Sequence, residues 1–286
     1  MTCPGSHVTI DDTRLWVVER GSGYPVIVLH GGPGLDHHEF ADYLDPLADA
    51  HRLLLVDQRG QGRSDAAPEH TLTLERMAQD VIMLALSRGL GDYAVLGHSY
   101  GAFVALQNAV DYPGIARQTI VSSGVASSRF LLDVDEELAR FGTPELRARV
   151  VGAWEREATV ATQEEFAEVM RDQWPFHFAD PGDPRIPDYV ARSAGLYAPD
   201  VLRHFATAEY GGIEVESRLG EVRSPVLVLA GRHDRVCTVP AAEAIATGIP
   251  AAELHVFEES GHMAFVEQQQ EYVDVVRGFL EGTGAR

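Results

Sequence analysis

Residues 95–102 read V-L-G-H-S-Y-G-A, and this segment is the most informative about the fold. It places Ser99 between two glycines, at the end of an apolar run and just before a pattern with helical spacing. Gly97 and Gly101 let a strand and a helix approach closely, which predicts a tight strand-to-helix turn with the serine hydroxyl exposed. A serine hydroxyl is a poor nucleophile at neutral pH, so the rest of the chain must supply a base and a site for an oxyanion.

The sequence around this turn alternates strands with helices. Continuous apolar runs such as Val26–Leu29 and Leu53–Val56 are typical of strands buried on both faces. Helical spacing follows at Leu74–Leu90 and Ala102–Tyr112. Alternation of this kind predicts an α/β fold, a mostly parallel sheet with helices on both faces. The other predicted strands are His7–Ile10, Arg14–Glu19, Tyr93–Leu96, Gln118–Val121, Val226–Leu229 and Glu253–Phe257, and the last predicted helix is Glu267–Leu280.

The pattern changes between residues 129 and 220. This segment is mostly amphipathic helix, with Trp154 and Trp174 among its apolar residues. The strand pattern returns after it. We therefore predict two parts: an α/β core made of residues 1–128 and 221–286, and a helical lid made of residues 129–220.

Two later loops offer the partners that the serine needs. S-G-H-M, residues 260–263, follows the last predicted strand, and His262 within it is the candidate base. Asp234 lies past the end of the preceding strand and is the candidate acid that orients the histidine. The order Ser99, Asp234, His262 is the chain order expected of a triad built on the ends of parallel strands. His98 is the weaker candidate base because it would point into the packing of the turn.

The oxyanion needs two backbone N–H donors. One is Tyr100, which follows the serine at the start of the predicted helix. The other is Gly32, in the loop L-H-G-G-P-G at residues 29–34. Gly32 has no side chain in the way, whereas Pro33 has no N–H to donate.

The composition excludes several classes of partner. The chain has 23 basic and 43 acidic residues and a net charge of −20, so it repels nucleic acids and anionic membranes. It has no apolar run long enough to span a membrane. Two cysteines without metal-ligand spacing, and an N-terminus without a secretory signal pattern, indicate a reducing, cytoplasmic compartment. His37, His38 and Glu39 resemble a metal cluster, but adjacent histidines rarely converge, so no metal or cofactor is expected.

Five motifs together resemble those of the α/β-hydrolase superfamily: H-G-G-P-G, D-Q-R-G-Q-G-R-S, G-H-S-Y-G, G-R-H-D and S-G-H. The first two, at residues 30–34 and 57–64, are similar to the motifs of the proline iminopeptidase group. The resemblance implies an eight-stranded, mostly parallel sheet with a helical lid inserted after the sixth strand. It also implies a serine hydrolase that releases an N-terminal proline, or a similar small residue, from short peptides.

The same resemblance implies that glutamates hold the free amine of the substrate. A-E-Y, residues 208–210, is the nearest match to a lid motif of that group, which makes Glu209 the candidate amine anchor. The nucleophile motif G-H-S-Y-G is closer to that of general esterases. A carboxylesterase, a lactonase or a carbon–carbon bond hydrolase on the same triad therefore stays an alternative. A non-catalytic receptor that binds a small molecule beneath the lid is a further one.

Overall fold

The computed structural model describes residues 5–282, without the side chains of residues 132–135 and of Glu209. Its strands are β1 (Ser6–Ile10), β2 (Thr13–Gly21), β3 (Tyr24–Leu29), β4 (His51–Asp57), β5 (Ala94–His98), β6 (Gln118–Ser122), β7 (Val226–Gly231) and β8 (Ala252–Phe257). They form one sheet in the order β1-β2-β4-β3-β5-β6-β7-β8. Strand β2 is antiparallel to β1 and β4, and the other neighbours are parallel. The prediction of an eight-stranded, mostly parallel sheet is confirmed.

Helices cover both faces of this sheet. Alternate residues of β3 show why: Ile27 and Leu29 belong to the apolar core on one face, and Val26 and Val28 to the core on the other. The helices are α1 (Leu74–Ser87), α2 (Tyr100–Asp111), α3 (Val134–Arg140), α4 (Pro144–Glu157), α5 (Gln163–His177), α6 (Ile186–Arg192), α7 (Pro199–Ala206), α8 (Val239–Gly248), α9 (Ala264–Glu267) and α10 (Gln269–Gly282). Short 3₁₀ turns span His37–Phe40, Asp45–Asp49, Glu69–Thr71, Ser128–Asp133, Glu209–Gly211 and Glu216–Glu221.

Two predicted helices end differently in the structure. Helix α1 stops at Ser87 rather than Leu90, because Gly89 takes a left-handed φ of 62° that suits glycine just beyond a helix. The predicted helix Glu267–Leu280 is two helices, α9 and α10, separated at Gln268. At that break the Glu267 carboxylate accepts the N–H groups of Ala179 and Gly261. The last helices are thereby attached to the loop after β8 and to the segment that follows α5.

Helices α3 to α7 all lie between β6 and β7, within the predicted lid segment. Helix α5 begins with a capping box in which Thr162 and Glu165 satisfy each other's backbone N–H groups. Asp172 of α5 pairs with Arg149 and Arg156 of α4 and joins these two helices side by side. The boundaries of a separate lid remain a prediction. Among residues 5–282, no helix combines the length and the apolar character needed to cross a membrane.

Candidate active site

Ser99 lies in the sharp turn between β5 and α2. Its backbone angles, φ 54° and ψ −120°, are unusual for a residue with a side chain. The Ser99 N–H donates to the carbonyl of Ser122 on the neighbouring strand β6, at 2.9 Å. A Cβ on Gly97 would collide with the backbone of Gly101, and a Cβ on Gly101 would collide with the carbonyl of Leu29. The two glycines are therefore required by close backbone packing around the serine.

His262 and Asp234 form a buried pair in the loops after β8 and β7. The distance from His262 Nδ1 to Asp234 Oδ2 is 2.9 Å. The other carboxylate oxygen of Asp234 accepts the N–H groups of Val236 and Cys237, both at 2.9 Å. Burial raises the pKa of Asp234, but the His262 ring and these two N–H groups outweigh it and hold the pKa below its ordinary value. The acid is thus kept ionised and aimed at the imidazole.

The second ring nitrogen of His262, Nε2, is free to act on a neighbouring group. Ser99 and His262 line the same cavity. His262 Nε2 is buried and has no hydrogen-bond partner among the described residues. Burial lowers the pKa of His262, and the Asp234 carboxylate more than offsets this, so the pKa lies above its ordinary value. The structure brings Asp234 and His262 into contact and places Ser99 beside them, with no hydrogen bond between serine and histidine.

His98, the weaker candidate base, is buried at the end of β5. Its ring centroid lies 5.0 Å from that of His262. Burial lowers the pKa of His98 well below its ordinary value, and the nearby rings of His262 and His177 lower it further. A neutral ring packed behind His262 has the character of a structural support.

The two predicted oxyanion donors, Gly32 and Tyr100, line the same cavity as Ser99. Gly32 has a φ of 110°. Within residues 5–282, neither backbone N–H donates a hydrogen bond. Two N–H groups on the wall of a largely buried cavity, next to a serine, can stabilise an oxygen that gains negative charge.

The cavity over Ser99 has two lobes. The larger lobe has a volume of about 300 Å³ and the smaller lobe about 50 Å³. Both are lined by Gly32, Ser99, Glu157, Gln173, His177 and Tyr210, so they meet at the serine. The larger lobe adds Tyr100, Phe103, Leu131, Trp154, Val236 and Cys237. The smaller lobe adds Pro33, Leu35, Glu39, Met170, Trp174, Leu202, His262 and Met263. Helices α4 and α5 of the predicted lid segment therefore form part of the wall of the site.

Glu157 is a buried carboxylate on this wall that the sequence analysis missed. It is the last residue of α4, and its carboxylate accepts hydrogen bonds from Gln173 Nε2 and Tyr210 Oη, each at 2.5 Å. Burial raises the pKa of Glu157, while these two donors lower it in part. Glutamates are common on exposed faces of helices, so only the packing of α4 against α5 distinguishes Glu157 from its neighbours.

Glu209, the predicted amine anchor, begins the short turn Glu209–Gly211. Its side chain lies outside the described part of the structure. The next residue, Tyr210, has a left-handed φ of 52° and donates its hydroxyl to Glu157. The A-E-Y stretch therefore reaches the cavity through Tyr210, and the role of Glu209 remains a prediction.

The His37–Phe40 turn carries the residues that resembled a metal cluster. One ligand atom each from Asp36, His37 and His38 lies within 4.8 Å of the other two. However, His37 Nδ1 is bonded to Asp57 at 2.5 Å, and His38 Nδ1 lies 3.0 Å from Asp36. The Nδ1 atom of each ring is thus engaged in a hydrogen bond that fixes the loop.

Comparisons with known proteins agree with this architecture. A model of the α/β hydrolase fold matches residues 24–269. A proline iminopeptidase of Lactobacillus crispatus (strain ST1) is 29% identical over 93% of this chain and 92% of its own length. The crystal structure of a proline iminopeptidase from Mycobacterium smegmatis superposes with a TM-score of 0.77 at 26% identity, over 98% of both chains.

An esterase from Exiguobacterium antarcticum has the same fold at lower identity. It superposes with a TM-score of 0.76 at 22% identity, over 97% of this chain and 100% of the esterase. The resemblance drawn from the five sequence motifs is confirmed by the family match and by the proline iminopeptidase relatives. The chain belongs to the α/β-hydrolase fold family.

Proposed function

We propose that this hydrolase is a serine enzyme that works through an acyl-enzyme. His262 Nε2 takes the proton of the Ser99 hydroxyl as its oxygen attacks a substrate carbonyl. The N–H groups of Gly32 and Tyr100 bind the oxyanion, each contributing about 3–4 kcal/mol to transition-state stabilisation. His262 then gives the proton to the leaving group as the acyl bond breaks. Water attacks the ester in a second round, and Asp234 holds the imidazole in the required tautomer throughout.

We further propose that the substrate is a short peptide with a free N-terminal amine, and that the residue released is proline or a similar small residue. The observation that carries this proposal is the Glu157 carboxylate on the wall of the cavity that contains Ser99. A buried carboxylate there would pair with a protonated amine and so recover the cost of its burial. The proline iminopeptidase relatives support the same substrate class.

A comparison of substrates and variants tests both parts of the proposal. Ser99→Ala should abolish hydrolysis of a proline arylamide without changing the thermal midpoint of unfolding. Glu157→Gln should raise KM for that arylamide by about 10- to 100-fold, the usual value of a hydrogen bond to a charged group. The matched control is Glu155→Gln, an exposed glutamate on the same helix, which should leave KM unchanged. Retained activity in Ser99→Ala would refute the mechanism.

The larger lobe of the cavity favours a second candidate, hydrolysis of an ester, a lactone or a carbon–carbon bond. Its walls include Phe103, Leu131 and Trp154, and a space of about 300 Å³ suits an apolar acyl group. An enzyme of this kind would cleave a short-chain aryl ester and leave the proline arylamide intact. A protein that cleaves neither, and whose Ser99 does not react with a fluorophosphonate, would instead be a receptor.

A further inference from the structure

A second buried glutamate, Glu39, packs against the oxyanion loop at Gly31. Its carboxylate oxygen Oε2 accepts the N–H of Gly31 at 2.5 Å. Gly31 is the residue just before Gly32, the proposed oxyanion donor. A Cβ on Gly31 would lie 2.7 Å from Glu39 Oε1 and 3.0 Å from Ser99 Cβ, so the carboxylate and the serine flank the same small residue. Glu39 is therefore packed against the oxyanion loop, in the wall of the cavity that Ser99 and His262 also line.

The other oxygen of this carboxylate is not engaged. Among the described residues, Glu39 Oε1 has no hydrogen bond, and no arginine or lysine forms an ion pair with Glu39. Glu39 lines the smaller lobe of the cavity together with Ser99 and His262. A buried carboxylate with a single N–H donor is poorly compensated, and its charge is felt strongly by neighbours in the same low-dielectric cavity.

The neighbouring charges show which group responds to Glu39. Burial raises the pKa of Glu39 to about 7, against the Gly31 N–H and His262, which lower it. In return, Glu39 raises the pKa of His262 after the larger effect of Asp234. The other titratable groups that face this pair are Asp36 in the loop after β3, His98 on β5, His177 on α5, Tyr189 on α6, Asp234 after β7, Glu267 on α9 and Tyr272 on α10.

We propose that Glu39 is a positioning residue for the reaction: it anchors the oxyanion loop through Gly31 and adds a second carboxylate, besides Asp234, to the surroundings of His262. This inference rests on the proposed function. A negative charge on Glu39 stabilises the imidazolium form of His262, so the neutral imidazole that serves as base forms only at higher pH. The two groups titrate as a pair. Removing the charge of Glu39 therefore lets the neutral imidazole of His262 form at lower pH.

The test measures the rate at which a fluorophosphonate labels Ser99 as a function of pH. This rate needs neutral His262 but no knowledge of the natural substrate. Glu39→Gln keeps an oxygen acceptor for Gly31 and removes the charge. We expect the acid limb of its profile to lie about 0.5–1 pH unit lower than in the unchanged protein, with little loss of rate at high pH. Glu253→Gln, an exposed site on β8, is the matched control and should not move the profile.

Glu39→Asp separates the two roles. It keeps the charge but is one methylene too short to hold Gly31, so its acid limb should stay in place. Its rate at high pH should fall about three- to tenfold. Removal of a complete oxyanion donor costs about 10²- to 10³-fold, and a loop that is only displaced loses part of that.

Coincident profiles for Glu39→Gln and the unchanged protein would overturn the inference. Should Glu39→Gln fail to fold, an undiminished rate at high pH in Glu39→Asp would overturn it instead. A lack of labelling in the unchanged protein at every pH would refute the proposed function itself, which is a different and recognisable result.

Discussion

Ser99 carries backbone strain that the surrounding contacts hold in place. A residue with a side chain at φ 54° and ψ −120° costs about 1–3 kcal/mol relative to an ordinary conformation. The hydrogen bond from its N–H to Ser122 on β6 and the tight packing at Gly97 and Gly101 oppose relaxation. The strained turn lies at the wall of the cavity that Ser99 lines. The strain is therefore part of how the turn presents the proposed nucleophile.

The contact of Gly101 with β3 leads to a prediction about stability. Gly101→Ala should lower the free energy of unfolding by about 2–3 kcal/mol, because the added Cβ must displace the backbone of Leu29 and His30. Urea unfolding followed by circular dichroism measures the change. Gly91→Ala is the control: its Cβ would meet nothing within 4 Å, so its unfolding midpoint should stay unchanged. Equal midpoints for both variants would contradict the packing argument.

The sequence predicts these residues unequally, for a physical reason. Ser99 directly follows β5, and Asp234 and His262 lie in the loops that follow β7 and β8, so the strand pattern assigns all three to the same edge of the sheet. Glu39 and Glu157 are different. Each lies on a short or amphipathic segment where a glutamate is ordinarily exposed, and burial comes from packing against distant parts of the chain. No local pattern distinguishes a buried glutamate from an exposed one.

At the scale of elements, a buried arginine joins three parts of the core. Arg59, in the loop after β4, is 1% exposed and pairs with Asp80 of α1 at 2.7 Å and with Asp12 of the β1–β2 turn at 2.8 Å. The arginine of the D-Q-R-G motif therefore holds this loop against α1 and the β1–β2 turn. The apolar runs predicted the strands and helix α1, but ion pairs between elements have no local signature.

The two acidic partners of Arg59 should differ in their effect on stability. Asp80 is nearly buried, so Asp80→Asn leaves a buried guanidinium with a single partner and should cost about 3–5 kcal/mol. Asp12 has a half-exposed side chain, and Asp12→Asn should cost less than about 1 kcal/mol. Urea unfolding of both variants makes the comparison. Similar losses in the two would show that burial does not control the strength of this ion pair.

At the scale of the whole molecule, the excess of acidic residues should oppose folding. The net charge of −20 concentrates like charges on a compact surface, and this self-repulsion is relieved when the chain unfolds or when salt screens it. Numerous arginine–carboxylate pairs stabilise the folded state, and salt weakens these attractions as well, which would lower the stability. Most of those pairs are partly exposed and contribute little each, so repulsion should dominate.

The melting temperature should therefore rise with salt at pH 8. An increase from about 20 to about 200 mM NaCl shortens the screening length severalfold. Each kcal/mol of stability gained in this way raises the midpoint by about 2–4 °C, so a rise of a few degrees is expected. The control is the same titration near pH 5, close to the isoelectric point of 4.9, where the net repulsion vanishes and the rise should vanish with it. A midpoint that falls with salt at pH 8 would mean that the ion pairs, rather than the excess negative charge, control the electrostatic stability of this fold.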